Sequence, residues 1–196
     1  MRFKLLLVAL ALIAAENGFA QKKENKPQDW LISGAAPYQS RIVVDGQNIV
    51  LDNGLVRRSF WIKPNAFCYD FTNLTTGQQL IRAVQPEAQL QLNGKWYNVG
   101  GVHGQKERAY LRPEWMPTFT AKPEDFSYVK HEISELDPLL PWNGDKWWST
   151  HKAAGKGKVL TFTYAAPAAA ALSGIEVKVH YAIYDGIPLI SKWVTI

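Results

Sequence analysis

Cysteine is almost absent from this chain of 196 residues, in which Cys68 is the only one. A single cysteine excludes an internal disulfide and any zinc site built from several cysteines. Long runs of one charge are also absent: the net charge is +5, yet basic residues never extend beyond pairs such as Lys22-Lys23 and Arg57-Arg58. A nucleic-acid-binding protein needs a basic stripe, so we set that class aside and expect no nucleic-acid partner.

No hydrophobic run is long enough to cross a bilayer as a helix. The longest one, residues 5–15, follows a short basic start and is too short for a hydrocarbon core of about 30 Å. Small residues at Gly18 and Ala20 then predict cleavage after Ala20. We therefore expect residues 1–20 to be a secretory signal peptide and the chain to be exported, to the periplasm or outside the cell. After signal removal no stable membrane insertion is expected; the alternative is an uncleaved membrane anchor.

What the sequence does contain is apolar residues in a two-residue rhythm. Hydrophobic residues make up 47% of the chain, enough for a packed core. In residues 175–184, Val177, Val179 and Tyr181 share one face, while Lys178 and His180 lie on the other. This alternation predicts a half-buried strand, and the turn that follows predicts a hairpin with residues 188–196.

Similar short β-prone runs recur along the chain and are separated by turn dipeptides such as Asp45-Gly46 and Asn93-Gly94. Many short strands at this spacing predict an all-β fold, an antiparallel β-sandwich, over residues 41–196 after a polar lead-in at residues 21–40. Residues 126–136 fit either a helix or a strand, and we favour the strand. The remaining predicted strands are residues 41–44, 48–51, 55–62, 67–71, 88–92, 96–99 and 159–164.

A long Pro/Trp-rich insertion, residues 100–158, does not fit an economical sandwich. Compact domains keep such irregular stretches when they cover something or line a site. Within it, Trp142, Trp147 and Trp148 offer indole faces that stack on sugar C–H groups, and Asp145 can bind hydroxyls. These four residues are the candidate carbohydrate contacts. The alternative is that the indoles pack against the sandwich or a neighbouring domain.

Catalytic and metal sites have weak support in the sequence. The four histidines lack the spacing of a metal site, and no carboxylate pair can be selected because sequence gives no separation. His180 falls on the polar side of its strand, which favours a structural role at the surface. Cys68 lies in a β run without an activating neighbour, which favours a buried, inert thiol. We therefore predict no catalytic residue, no metal and no cofactor in this chain.

A family resemblance rests on several strand and turn motifs. The stretch of residues 48–60 reads NIVLDNGLVRRSF and is followed by Pro64-Asn65, by NLTTG at 73–77, by Pro86-Glu87-Ala88 and by Val99-Gly100-Gly101. Together with YDGIPLISKW at 184–193, it resembles the amino-terminal region of secreted alpha-galactosidase-like glycoside hydrolases.

The resemblance implies a β-supersandwich of the galactose-mutarotase-like kind, placed before a catalytic (β/α)8 barrel that holds the catalytic aspartates. It therefore implies a non-catalytic module whose partners are carbohydrate and the barrel of the same parent chain. It also implies that the loop carrying Trp142, Trp147 and Trp148 can reach the rim of the sugar pocket.

The sequence stops within an apolar, β-rich run, and we expect it to be part of a longer protein; a natural terminal strand is the alternative. Two other functions stay open. One is a free-standing carbohydrate-binding module. The other is a mutarotase-like enzyme that uses a histidine and a carboxylate as acid and base.

Overall fold

Strands dominate the computed structural model, which describes residues 29–33, 37–107, 110–137, 155–168 and 172–196. Burial alternates from residue 176 to residue 181, as the sequence predicted. Every predicted strand is present, including residues 126–136, whose strand interpretation is confirmed. The elements are β1 (Arg41–Asp45), β2 (Asn48–Asp52), β3 (Val56–Trp61), β4 (Phe67–Asn73), β5 (Gln78–Gln79), β6 (Ala88–Leu92), β7 (Lys95–Val99), β8 (Ser127–Glu135), β9 (Gly157–Ala165), β10 (Glu176–Tyr184) and β11 (Ile190–Thr195), with helix α1 (Trp30–Ser33) and a 3₁₀ helix (Pro113–Thr118).

The strands form three antiparallel sheets. The first has the order β1-β2-β3-β4-β5, the second has the order β11-β10-β9-β8, and β6 and β7 make a separate hairpin. Most neighbours along the chain are also neighbours in a sheet, which is the arrangement that short turns permit. In the β6–β7 turn, Asn93 and Gly94 both have positive φ, at 50° and 78°, which is the geometry favoured for a two-residue hairpin turn.

The hydrophobic core lies between the five-stranded and the four-stranded sheet. Phe60 of β3 meets Phe162 of β9 at 5.0 Å and Tyr181 of β10 at 4.8 Å between ring centroids, and all three are fully buried. Val177 and Val179 point into the same core, as their alternation predicted. The chain is therefore an all-β antiparallel sandwich, and the predicted fold class is confirmed.

The outer face of the five-stranded sheet is partly covered by residues of the Pro/Trp-rich insertion. A second apolar cluster, Phe67, Val84 and Phe119, forms there, with Trp115 and Met116 packed against it. This cluster fixes residues 110–119 against the sheet and leaves a groove beside it. Among the described residues, no helix combines the length and the apolar character that a membrane span requires.

Candidate functional site

The four predicted carbohydrate contacts, Trp142, Asp145, Trp147 and Trp148, lie outside the described residues. Their role therefore stays a prediction. The predicted signal peptide, residues 1–20, also lies outside the described residues. Residues 111, 113 and 116 of the insertion line a groove on the five-stranded sheet, and this groove is the candidate site.

This feature is a groove of about 490 Å³ on the outer face of the five-stranded sheet. A polar floor comes from the strands, and an apolar wall comes from residues 110–119. Its volume falls in the range of about 300–1,000 Å³ that is usual for small-molecule sites. The groove is lined by Val50, Arg57, Ser59, Tyr69, Asp70, Gln79, Leu111, Pro113 and Met116.

The polar side chains of the floor share one face because of the two-residue period of the strands and a β-bulge in β4. Arg57 and Ser59 occupy alternate positions of β3 and so share its outer face, and Ser59 pairs with Asp70 of β4. The register then shifts, because Phe60 pairs with Cys68 and leaves Tyr69 as an extra residue. Such a bulge redirects a side chain, and here Tyr69 lines the groove beside Asp70.

Asp70 is the centre of the floor. Its carboxylate accepts hydrogen bonds from Arg57 Nε at 3.0 Å, from Thr72 Oγ1 at 2.8 Å and from Gln79 Nε2 at 2.5 Å. Ser59 Oγ donates a longer one at 3.5 Å. The Asp70 side chain is only 14% exposed. These donors hold the carboxylate in one orientation and fix the position of the Arg57 guanidinium above it.

Gln79 is held just as firmly. Its Oε1 accepts hydrogen bonds from the backbone N–H groups of Phe71 at 3.0 Å and Ile81 at 3.1 Å. This orients the amide so that Nε2 faces Asp70. These hydrogen bonds fix the two-residue strand β5 against the groove floor.

Tyr69 supplies a neutral phenol to the groove. Its hydroxyl donates to Asn48 Oδ1 at 2.9 Å. Burial raises the pKa of Tyr69, so the phenol stays protonated at physiological pH. A protonated phenol that already donates can still accept a hydrogen bond from a ligand hydroxyl.

The opposite wall is apolar and preorganised. Leu111, Pro113 and Met116 present it, on or just before the 3₁₀ helix. Behind it, the rings of Tyr110 and Trp115 lie 5.5 Å apart, and the guanidinium of Arg112 sits over both. An apolar surface facing a polar floor is the combination by which proteins bind sugars, which have C–H faces and hydroxyl edges.

A second polar cluster lies elsewhere on the surface. His103 Nε2 is 2.7 Å from Oδ2 of the buried Asp125, whose Oδ1 accepts from Asn98 Nδ2 at 3.1 Å. His103 also exchanges two backbone hydrogen bonds with Thr120. The bonds of His103 hold the insertion together, and the Asn98–Asp125 bond ties it to β7. Across the described ranges, no group of three His, Cys, Asp or Glu side chains is placed to hold a metal ion.

A third polar cluster is buried between the sheets. The side chain of Glu87 is 2% exposed, and it accepts from the backbone N–H of Cys68 at 2.9 Å, from the hydroxyl of Tyr181 and from Lys192 Nζ at 3.3 Å. Burial, with the nearby Glu87 carboxylate, raises the pKa of Tyr181 well above its ordinary value. This cluster ties β4, β10 and β11 to the segment before β6, which is a structural role.

The structure also bears on the structural roles predicted for Cys68 and His180. Cys68 is buried, and burial raises its pKa to about 12, so the thiol is not ionised at neutral pH. His180 stands on the outer face of β10, as predicted, but it is half-buried because it stacks on Trp193 at 4.8 Å with the rings nearly parallel. Its ring nitrogens lie within hydrogen-bond distance of Thr161 Oγ1 and Thr195 Oγ1.

The sequence did not predict the groove, because the groove forms only when distant strands pair. Arg57 and Asp70 are thirteen positions apart and meet only in the register that the bulge at Tyr69 sets. One signal was available. Arg57 and Ser59 of β3, and Asp70 and Thr72 of β4, are polar residues at alternate positions, which indicates a polar face on these two strands.

Comparison of the chain with protein-family models, with curated proteins and with solved structures finds no match.

Proposed function

We propose that this chain is a non-catalytic β-sandwich module of an exported, alpha-galactosidase-like carbohydrate-degrading enzyme, and that the groove binds saccharide. The observation that carries the proposal is the groove itself: the Arg57–Asp70 pair and the Tyr69 phenol on one side, and the apolar wall at Leu111 and Met116 on the other. Hydroxyls find donors and acceptors on the floor, while the pyranose C–H face packs on the wall.

The proposed export follows from the apolar run that precedes Ala20. The proposed second partner is the catalytic (β/α)8 barrel of the parent chain. Exposed apolar side chains support docking, among them Ile133 of β8 and Leu189 before β11, which are 43% and 45% exposed. Catalysis then belongs to the barrel, and this module supplies substrate contacts and stability.

The binding test is isothermal titration of the purified chain with oligosaccharides, using Arg57→Ala and a matched control. Lys130→Ala is that control, because Lys130 of β8 is also a partly exposed cation paired with a carboxylate, Glu132 at 3.0 Å, but lies on the other sheet and does not line the groove. We expect weak binding that Arg57→Ala lowers at least tenfold and Lys130→Ala leaves unchanged.

The same titration compares the groove with the predicted tryptophan loop. If Trp147→Ala or Trp148→Ala abolishes binding while Arg57→Ala does not, the loop is the sugar contact and the groove proposal is wrong. Robust hydrolysis of an oligosaccharide by this chain alone would overturn the non-catalytic part of the proposal.

A second candidate function is mutarotase-like proton transfer, and one observation favours it. His103 and Asp125 are in direct contact at 2.7 Å, and His103 borders a cleft of about 250 Å³. The test is the rate of anomer exchange of a hexose, followed by NMR. Acceleration that disappears in His103→Gln supports this candidate, and no acceleration by the wild-type chain removes it.

A further inference from the structure

On the groove floor, the acceptor atoms of Asp70 and Gln79 are already bonded, whereas donor N–H groups remain open to a ligand. Asp70 already accepts from Arg57, Thr72, Gln79 and Ser59, and both functional atoms of the Gln79 amide are engaged. Neither side chain has an acceptor left for a ligand hydroxyl. What remains for a ligand to use is therefore mostly donor capacity.

That donor capacity belongs chiefly to Arg57. Within the described residues, the hydrogen bond from its guanidinium runs from Nε to Asp70, and the two terminal nitrogens have no acceptor. The side chain is 41% exposed and lines the groove. A guanidinium that is anchored at Nε and open at its terminal nitrogens presents a planar fork, which matches a carboxylate in two parallel hydrogen bonds.

The surrounding charges also favour an anion. Arg57 and Asp70 are the charged side chains among the groove-lining residues. Asp52 of β2 stands opposite Arg57 in the sheet, and its carboxylate is already bound by Arg41 at 3.2 Å and by the backbone N–H of Gly54 at 2.7 Å. Glu114 on the 3₁₀ helix is paired with Arg112 at 3.8 Å. The net charge of the chain is +5. An approaching carboxylate therefore meets an accessible cation, no unpaired carboxylate in the lining, and a weakly attractive long-range field.

We propose that the groove selects saccharides that carry a carboxylate, that is, uronic-acid residues. The carboxylate binds the terminal nitrogens of Arg57, and the sugar ring packs on the wall at Leu111, Pro113 and Met116. This inference rests on the proposed carbohydrate-binding function and adds the class of sugar. It is compatible with a substrate in which uronic-acid residues accompany the galactosyl residues that an alpha-galactosidase-like barrel removes.

The test is isothermal titration with three ligands of the same length: trigalacturonate, its fully methyl-esterified form and a neutral galactotriose. The ester is the sharpest comparison because it keeps the ring and removes the charge. We expect trigalacturonate to bind about tenfold more tightly than either neutral ligand at low salt, because its carboxylate pairs with the guanidinium and the partial exposure of Arg57 weakens that pair. The advantage should shrink as salt is raised.

Two variants test whether the preference for trigalacturonate depends on the planar guanidinium of Arg57. Arg57→Gln should bind all three ligands alike, and Arg57→Lys, which keeps the charge but not the fork, should retain only part of the preference. Lys130→Gln, on the other sheet, is the matched control and should behave as wild type. Equal urea midpoints for the variants establish that the fold is intact.

Each outcome decides a separate point. If none of the three ligands binds, the proposed carbohydrate function fails. If all three bind equally to the wild-type chain, that function stands and the uronic-acid inference is overturned. If acetate alone binds as tightly as trigalacturonate, the groove is a simple anion site, and the inference is also overturned.

Discussion

Removing the buried carboxylate of Glu87 should cost more stability than any surface change in this chain. In Glu87→Ala, the Cys68 N–H and the Tyr181 hydroxyl lose their acceptor in the interior, at about 1–3 kcal/mol each. Lys192 contributes little, because a third of its side chain is exposed and water can replace the carboxylate. We therefore expect a loss of about 3–5 kcal/mol in the free energy of unfolding.

Urea unfolding followed by circular dichroism measures this loss. With a slope of about 2 kcal/mol per molar urea, the midpoint should fall by about 2 M. Glu87→Gln keeps the shape and one acceptor oxygen and should lose roughly half as much. The matched control is Glu135→Ala, which removes an 80% exposed carboxylate and should change stability by less than about 0.5 kcal/mol.

A double-mutant cycle tests whether Glu87 is the hydrogen-bond partner of the Tyr181 hydroxyl. Tyr181→Phe should cost clearly less in the Glu87→Ala background than in the wild-type chain, because the hydroxyl has already lost its partner. A loss below about 1 kcal/mol for Glu87→Ala, or full additivity of the two changes, would show that Glu87 does not organise the interior.

Other consequences follow from packing and burial. Phe162→Ala removes a ring at the centre of the core and should cost about 3–5 kcal/mol in urea unfolding. Gly157→Ala should be destabilising by at least about 1–3 kcal/mol, since the new Cβ would lie 2.2 Å from the carbonyl oxygen of Ile183, whereas Gly155→Ala meets only ordinary contacts and should be tolerated. Burial lowers the pKa of His180, so the folded state binds its proton less readily than the unfolded state; stability should fall as pH drops below about 6.5, and His180→Gln should flatten the change in urea midpoint between about pH 7.5 and pH 5.5. An equally steep fall in His180→Gln would rule out that assignment.

The strands could be predicted because their signal is local. Alternation in β10 and the turn dipeptide at Asn93-Gly94 depend on residues a few positions apart, and the structure follows both. Burial of Val177 and Val179 follows from the same two-residue period.

The polar clusters could not be predicted because their partners are distant in sequence. Glu87 binds Tyr181 and Lys192, which are 94 and 105 positions away. A glutamate after a proline is normally taken as a surface residue, and only the packing of two sheets makes it a buried anchor. Similarly, Arg57 meets Asp70 through a bulge that no local pattern of β3 reveals.

The composition of the long insertion predicts a functional segment. Its prolines and tryptophans indicated irregular structure near a site, and residues 111, 113 and 116 do line the groove. Within it the sequence favours the indoles at 142–148, because a tryptophan cluster is visible in sequence while a groove wall made of leucine, proline and methionine is not.

The most direct test of the saccharide groove uses Met116. The chain has two methionines, Met1 and Met116, and the predicted cleavage after Ala20 would remove Met1 and leave Met116 as a single methyl probe in the groove wall. A spectrum of ¹³C-methyl methionine recorded during titration with trigalacturonate should show one signal that shifts and saturates with the dissociation constant found by calorimetry. A methyl signal that stays fixed while calorimetry reports binding would place the saccharide elsewhere and contradict the proposed site.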